Sequence, residues 1–272
     1  MLLRVGLIGL CLASLSACNT DLSASGNTIG ALHTETVEFS KTGGDCPQPP
    51  KKIPDNAKCA SVKITYPKFS STTKPELADT LNAFVQDQLL DTVDENGQRP
   101  TSLETLANGF IGDYLKQPSA FSSWTLERTI KIAYASEDLV TLLYSEDGNT
   151  GGAHPFSGQR YYVMNLQNGQ QMTLKDLLNP GYEGEINVIA EQAFRDSRNI
   201  APDVSLEGEG FWFQNNTFAI NNNFGILEDG LAFHFNTYEV APYAMGASEF
   251  TIPYEDIMGL IPPNSPITKI GD

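Results

Sequence analysis

Two apolar, alternating segments, Leu139-Val140-Thr141-Leu142-Leu143-Tyr144 and Tyr161-Tyr162-Val163-Met164-Asn165-Leu166, flank the stretch Gly151-Gly152-Ala153-His154-Pro155-Phe156. Segments of this kind read as strands with a buried face. The junction holds two adjacent glycines, which tolerate positive φ, and a proline, which fixes φ at about −65°. It therefore forces a defined bend between the two strands. His154 is held in that bend.

The same reading extends outward. Val62, Ile64 and Tyr66 alternate with Ser61, Lys63 and Thr65 as a strand that Pro67 is expected to stop. Pro75 to Leu90 places Leu77, Leu81, Phe84, Val85 and Leu89 at helical spacing, with Pro75 suited to a first turn. A second helix is expected from Ser102 to Leu115, and paired strands over Trp124 to Tyr134 and Leu139 to Tyr144. Asn168-Gly169 predicts a tight hairpin, since both residues tolerate positive φ, and Thr173 is a candidate cap for the turn that follows. Gly184 to Asn199 has a helical pattern. Phe211 to Phe213, Thr217 to Ile220, Phe224 to Leu227, Leu231 to Phe235 and Phe250 to Ile252 read as short strands, with a closing helical turn over Tyr254 to Leu260. Strands with intervening helices, many of them hairpin-like, indicate an α+β fold on a mainly antiparallel sheet. At 272 residues the chain can bury one large core or two small ones.

The N-terminus carries an address. Residues 1–17 contain one charge, Arg4, and an apolar run from Val5 to Leu15 that is too short to span a bilayer and has the form of an export signal. Leu15-Ser16-Ala17-Cys18 resembles the lipobox of bacterial lipoproteins, whose cysteine is acylated on sulfur and becomes the new N-terminus. The resemblance implies lipidation of Cys18, palmitate included, and anchoring to a membrane by two or three chains. The alternative is an ordinary secretory signal with an incidental cysteine. Asn19, not aspartate, follows Cys18; by resemblance to the sorting rule of enterobacterial lipoproteins this points to the outer membrane, facing the periplasm.

Cys11 would leave with the signal, so Cys46 and Cys59 remain. In an exported chain they are expected to form one disulfide, contributing about 3 kcal/mol in the chain-entropy model. A zinc site lacks further cysteine or histidine ligands nearby, since His33 falls in the Ser/Thr/Gly/Asn-rich stretch expected to be a solvated tether. No metal and no cofactor is expected. The formal net charge of −16 excludes nucleic acid as a partner and favours a basic one.

Two motifs then match a family. One runs from Gly151-Gly152-Ala153-His154-Pro155 through Asn168-Gly169 to Met172-Thr173-Leu174-Lys175-Asp176-Leu177. The other is Leu231-Ala232-Phe233-His234-Phe235-Asn236-Thr237-Tyr238-Glu239-Val240-Ala241-Pro242-Tyr243-Ala244-Met245-Gly246, followed by Phe250-Thr251-Ile252-Pro253-Tyr254. Together they resemble the extracytoplasmic domain of RsiV-type anti-sigma factors, found also in the non-catalytic part of PdaC-type peptidoglycan deacetylases. The resemblance implies a β-grasp-like C-terminal half without a catalytic centre, and a domain whose loops enter the cleft of lysozyme, itself a basic protein. It partitions the chain into a signal (1–17), a flexible tether ending in the disulfide (18–57), an N-terminal half (58–145), an RsiV-like domain (146–262) and a tail (263–272). The chain has no transmembrane helix or sigma-binding segment of the anti-sigma type and no deacetylase domain, which leaves binding.

The candidate binding residues are those of the two motifs: Gly151, Gly152, His154, Pro155 and Phe156, with Tyr238, Glu239, Pro242 and Tyr243. His154 has a structural reading, with its ring packed beside Pro155 and bonded to a neighbouring strand. As a metal ligand it would need His234; as a general base it would need a nucleophile and an orienting carboxylate, for which Glu146, Asp147 and Ser157 are near in sequence. Tyrosines in a Pro-containing loop suit an interface or a core equally. Phe211-Trp212-Phe213 fits either a glycan-stacking platform or core packing. The expected function is an envelope-anchored binding lipoprotein that occludes lysozyme-type muramidases. The alternatives are a peptidoglycan-binding or envelope-maintenance protein, and an unrecognised hydrolase.

Overall fold

The computed structural model describes residues 27–47, 58–93, 97–117 and 122–270. They form an α+β fold with two sheets. The first has six strands in sequence order: β1 (Asn27–Ile29), β2 (Leu32–Gly44), β3 (Cys59–Ser70), β4 (Trp124–Ala135), β5 (Leu139–Asn149) and β6 (Phe156–Asn165). All neighbours are antiparallel except β3 and β4. That parallel pair needs a long crossover, supplied by helices α1 (Pro75–Leu89) and α2 (Leu103–Leu115). The second sheet is an antiparallel meander of β7 (Phe224–Ile226), β8 (Gly230–Phe235) and β9 (Ser248–Pro253), with α4 (Glu183–Arg198) packed on it after the short α3 (Leu174–Leu177). This meander and its helix are what stands where a β-grasp-like half was expected. Among the described residues no helix is long and apolar enough to cross a membrane.

Each sheet has its own core. Leu81, Val85 and Leu89 of α1 and Leu106 of α2 pack on Val62, Ile64, Val140 and Leu142. Phe194 of α4, fully buried, is the hub of the other core, with edge-on contacts to Phe211, Phe213, Phe235 and Phe250 at ring-centre distances of 5.0 to 6.1 Å. Local chemistry fixes the element ends. Pro75 opens α1, the Ser102 hydroxyl accepts the Thr105 N–H at the start of α2, and Asn199 closes α4 at φ 57°. Asp176 accepts from both the backbone N–H and the hydroxyl of Thr173, each at 2.7 Å.

Several expectations are corrected. The tether assigned to 18–57 contains β1 and the thirteen-residue β2, which pairs with β3 over twelve residues. Its threonines have strand propensity and Val37 and Phe39 share one face, so polar composition disguised a strand that beyond Thr34 has β3 alone beside it. His33 lies in β2 and is exposed. The disulfide Cys46–Cys59 is formed beside the β2–β3 ladder, with the Cα atoms 4.8 Å apart. Pro67 does not stop β3. The pairing with β4 ends at Thr65, so Pro67 lies where one side of β3 has no ladder to donate to. Of the residues that tolerate positive φ in the two turns, Gly151 and Gly169 take it. The 165–170 turn is closed by Gly169 N–H to Asn165 O at 2.7 Å. Phe211 to Phe213 and Thr217 to Ile220 are not strands; they are irregular segments around a 3-10 turn whose phenylalanines are drawn into the Phe194 cluster. The tail is packed as far as residue 270, with Ile267 buried and the Ser265 hydroxyl bonded to Leu177 O at 2.9 Å. Cys18 and the signal lie outside the described residues.

Candidate functional site

Strand β6 is the last of its sheet, so one side of it faces no strand ladder. Unpaired edge groups invite foreign strands or cost desolvation. Two asparagines supply the missing partners. Asn223, just before β7, donates to Gln159 O at 2.9 Å and accepts the Tyr161 N–H at 2.9 Å. Asn236, just after β8, donates to Gln159 O at 3.0 Å and accepts the Gln159 N–H at 2.7 Å. A side-chain amide carries both N–H donors and a carbonyl acceptor, so each asparagine meets the N–H and C=O groups of β6 as a neighbouring strand would. These contacts lay the end of β8 beside the start of β6 and bring the two sequence motifs together.

The first motif is the exposed 150–155 turn between β5 and β6. Asn149 Oδ1 accepts the Gly151 N–H at 2.7 Å, and Gly151 sits at φ 79°. The second is the 236–246 loop between β8 and β9. Arg198 of α4 holds its far end by donating to Met245 O at 3.2 Å and Ala247 O at 2.6 Å. Glu239 braces the near end: its carboxylate accepts the Asn236 N–H at 2.8 Å and the Asn221 amide at 2.7 Å. Glu239, a candidate binding residue, is thus already committed to holding the loop.

The loops touch through His154 and Tyr243, whose rings stack with centroids 4.3 Å apart and planes at 22°. Tyr238 lies 5.6 Å from Tyr243, is 60 % exposed, and has φ 69°, a left-handed conformation rare for an aromatic residue. Trp212, 48 % exposed, is tied to the same loop by its ring N–H to Glu239 O at 3.2 Å and by its backbone N–H to Val240 O at 2.9 Å. Pro242 is exposed. Phe156 is placed differently. Its ring lies across Gly148, where a Cβ would fall 2.2 Å from Cζ, and with Pro155 it borders a shallow cleft over Thr125 and Glu127.

Where the motifs meet there is a small polar cleft of about 130 Å³ lined by Asp147, Ser157, Gln159, His234, Asn236 and Thr237. His234 is 5 % exposed; its Nδ1 has no hydrogen-bond partner among the described residues and stands 3.8 Å from Glu249 Oε2. Glu249 also accepts the Tyr161 hydroxyl at 2.8 Å. His234 and the Tyr161 hydroxyl together hold the Glu249 carboxyl below the usual carboxylate range, against its partial burial. Burial, then the bond to Glu249, pushes the Tyr161 hydroxyl well up. Among the described residues His154 makes no hydrogen bond or ion pair, and its ring contact is Tyr243. No three His, Cys, Asp or Glu side chains among them are placed to hold a metal ion. The arrangement is a braced aromatic surface with a small polar recess beside it.

Sequence reading chose the loops but missed their supports. Asn223, Asn236, Arg198 and the Tyr161–Glu249–His234 group were not singled out as a site. The one available signal was an asparagine abutting each of two apolar strands.

Residues 53–157 match the family described as deacetylase PdaC, and residues 175–255 match the family described as a protein of unknown function (DUF3298). The peptidoglycan-N-acetylmuramic acid deacetylase PdaC of Bacillus subtilis (strain 168) is 24 % identical over 124 residues, which cover 45 % of this chain and 26 % of that protein. The chain therefore spans about a quarter of the length of this curated relative. A crystal structure of a DUF3298-family protein from Bacteroides fragilis superposes with a TM-score of 0.68 at 20 % identity, covering 90 % of this chain and 99 % of that one. One from Pseudomonas aeruginosa PAO1 gives 0.64 at 21 %, covering 88 % and 96 %. The likenesses to these two solved structures show the fold.

Proposed function

We propose that this chain is an extracytoplasmic binding lipoprotein, anchored through Cys18 in the bacterial outer membrane facing the periplasm, whose binding surface is the joined 150–155 and 236–246 loops. The contact that supports the reading is the stacking of His154 on the half-buried Tyr243, which unites two loops from different sheets in one aromatic surface. The partner it suits is a basic, lysozyme-type muramidase, whose cleft the loops would occlude. With a formal charge of −16 the chain attracts a basic protein at long range, while Tyr238, Tyr243 and Trp212 offer large contact area at low entropic cost. Binding, not catalysis, is the role proposed. The match to a deacetylase covers too little of that enzyme to carry its activity here.

The test is the activity of an animal-type lysozyme on cell walls with and without the purified chain, paired with a pull-down. Inhibition that tracks complex formation supports the reading; no complex at micromolar concentration sinks it. A second reading, retention on peptidoglycan itself, is favoured by the exposed Trp212 ring, which could stack on a sugar face. Retention on purified peptidoglycan that disappears in Trp212→Ala or Tyr243→Ala, without any lysozyme complex, would select it.

A further inference from the structure

The open sides of the six-stranded sheet are treated unequally. Asn223 and Asn236 meet the open side of β6. On β3, past Thr65 where its pairing with β4 ends, Asn82 accepts the Phe69 N–H and donates to Phe69 O, both at 2.8 Å. The outer side of β2 has β1 beside it only from Leu32 to Thr34. Which backbone groups face that side follows from two contacts. Phe69 stands opposite Thr34 but turns its N–H and C=O to Asn82, so these two are not a hydrogen-bonded pair. At the far end of the same unbroken register, Asp45 donates to Lys58 O at 2.7 Å.

Hydrogen-bonded pairs alternate along an antiparallel ladder. The odd-numbered residues of β2 therefore bond to β3, and Thr36, Glu38, Ser40 and Thr42 hold their N–H and C=O groups outward. All four are exposed, and among the described residues nothing pairs with those groups. Such a row is a template for one more strand. The adjoining stretches of this chain suit it poorly. Residues 47–57 contain Pro47, Pro49, Pro50 and Pro54, which have no N–H to donate, and residues 19–26 include Asn19, Asp21 and Gly26, types depleted in strands.

We infer that the outer edge of β2 pairs with β2 of a second copy of this chain, antiparallel about a two-fold axis at Phe39, joining two sheets into one. β1 stops the pairing at Thr34, so the free run is 36–42 and Phe39 is its midpoint. In this register Thr36 stands opposite Thr42 of the second copy and Glu38 opposite Ser40, and each pair exchanges its outward groups. Phe39, whose own groups are engaged by β3, meets its copy in the non-hydrogen-bonded position, where side chains come closest and an aromatic pair is favourable. Val37 and Phe39 are half-buried on one face, so the contact also covers apolar area. Neighbouring registers are worse. An axis at Glu38 opposes two carboxylates, and an axis at Ser40 exchanges the aromatic pair for Phe39 against Lys41.

The test is sedimentation equilibrium of the purified chain at about 0.15 M salt, where repulsion between two chains of formal charge −16 is screened, with amide hydrogen exchange measured at low and high protein concentration. A monomer–dimer equilibrium is expected with a dissociation constant of about 10–100 μM, the weak range that suits a contact of this size. Exchange at Thr36, Glu38, Ser40 and Thr42 is expected to slow as concentration rises. Ser40→Pro removes an N–H that takes no part in the β3 ladder, so the fold is kept; by symmetry the dimer loses two backbone hydrogen bonds and is expected to weaken about 30-fold. Ser40→Ala keeps the N–H and is expected to dimerise like the wild type. A chain that stays monomeric at about 1 mM overturns the inference. Protection of these four amides that does not change with concentration also overturns it, because the edge is then covered by its own chain. So does a folded Ser40→Pro chain that dimerises undiminished, because the contact then lies elsewhere.

Discussion

Tyr238 separates holding the loop from using it. At φ 69° a non-glycine residue loses about 1–2 kcal/mol relative to a right-handed or extended backbone. Tyr238→Gly removes that strain but adds about 0.5–1 kcal/mol of unfolded-state entropy. The ring is 60 % exposed and meets Tyr243 at 5.6 Å in a tilted pairing worth about 0.5 kcal/mol, which the variant also gives up. The three contributions nearly cancel, so the variant should unfold in urea within about 0.5 kcal/mol of the wild type. Binding should respond differently. An interface tyrosine at the centre of a contact is worth about 2 kcal/mol or more, so affinity for a lysozyme-type partner should fall about 30-fold by calorimetry. A stability decrease of more than about 1.5 kcal/mol with unchanged affinity would refute the reasoning, because the ring would then be packing and not presenting.

Asn223→Ala leaves the Tyr161 N–H without a partner at a nearly buried position and should cost about 2–3 kcal/mol, read as a lower urea midpoint with an unchanged slope. Reduction of Cys46–Cys59, followed by the same unfolding assay, should lower stability by about 3 kcal/mol. Since the Glu249 carboxyl is lowered in the folded state, its contribution is present above about pH 4.3 and is lost as pH falls through the folded value; Glu249→Gln should flatten that acid limb of stability against pH. Burial raises the hydroxyls of Tyr144, Tyr161 and Tyr254, so their contribution is full below about pH 10 and is lost as pH rises beyond it. Tyr254→Phe should soften the alkaline unfolding seen by circular dichroism.

Where side-chain periodicity and secondary structure coincide, the chain was readable. α1, α2, α4 and the β5–β6 pair follow from apolar spacing and caps, and the bend at Gly151 from its neighbours. β2 was hidden because its stability comes from pairing with β3 and not from a continuous apolar face; only Leu32 and Thr34 of it are buried. Phe211, Phe213 and Phe218 misled in the opposite sense. Strand-prone residues were drawn by the Phe194 cluster into an irregular path, with Asn215 and Asn216 taking the left-handed turns it needs. The site divides the same way. Its loops carry local glycine, proline and tyrosine signals, but the stacking of His154 on Tyr243 joins residues distant in sequence, and spacing is silent about such pairings.

The supports say what kind of site this is. A loop needed only to connect β8 and β9 has no use for Tyr238 in a left-handed conformation, for Glu239 accepting from two groups, or for Arg198 reaching from α4 to its carbonyls. Glu239 and Arg198 fix backbone position, and they leave the Tyr238 ring exposed and the Tyr243 ring half-exposed. Ordering a loop before it meets a partner reduces the entropy lost on binding, so a surface braced in this way gains affinity from the same rings. His154 fits that account better than a chemical one. Its ring lies flat on Tyr243 and ties the 150–155 turn to the braced loop, so that two segments held by different sheets present one continuous face. Disrupting the asparagine pairs at β6 should therefore weaken binding even though neither amide reaches the aromatic surface, because the register between the loops depends on them.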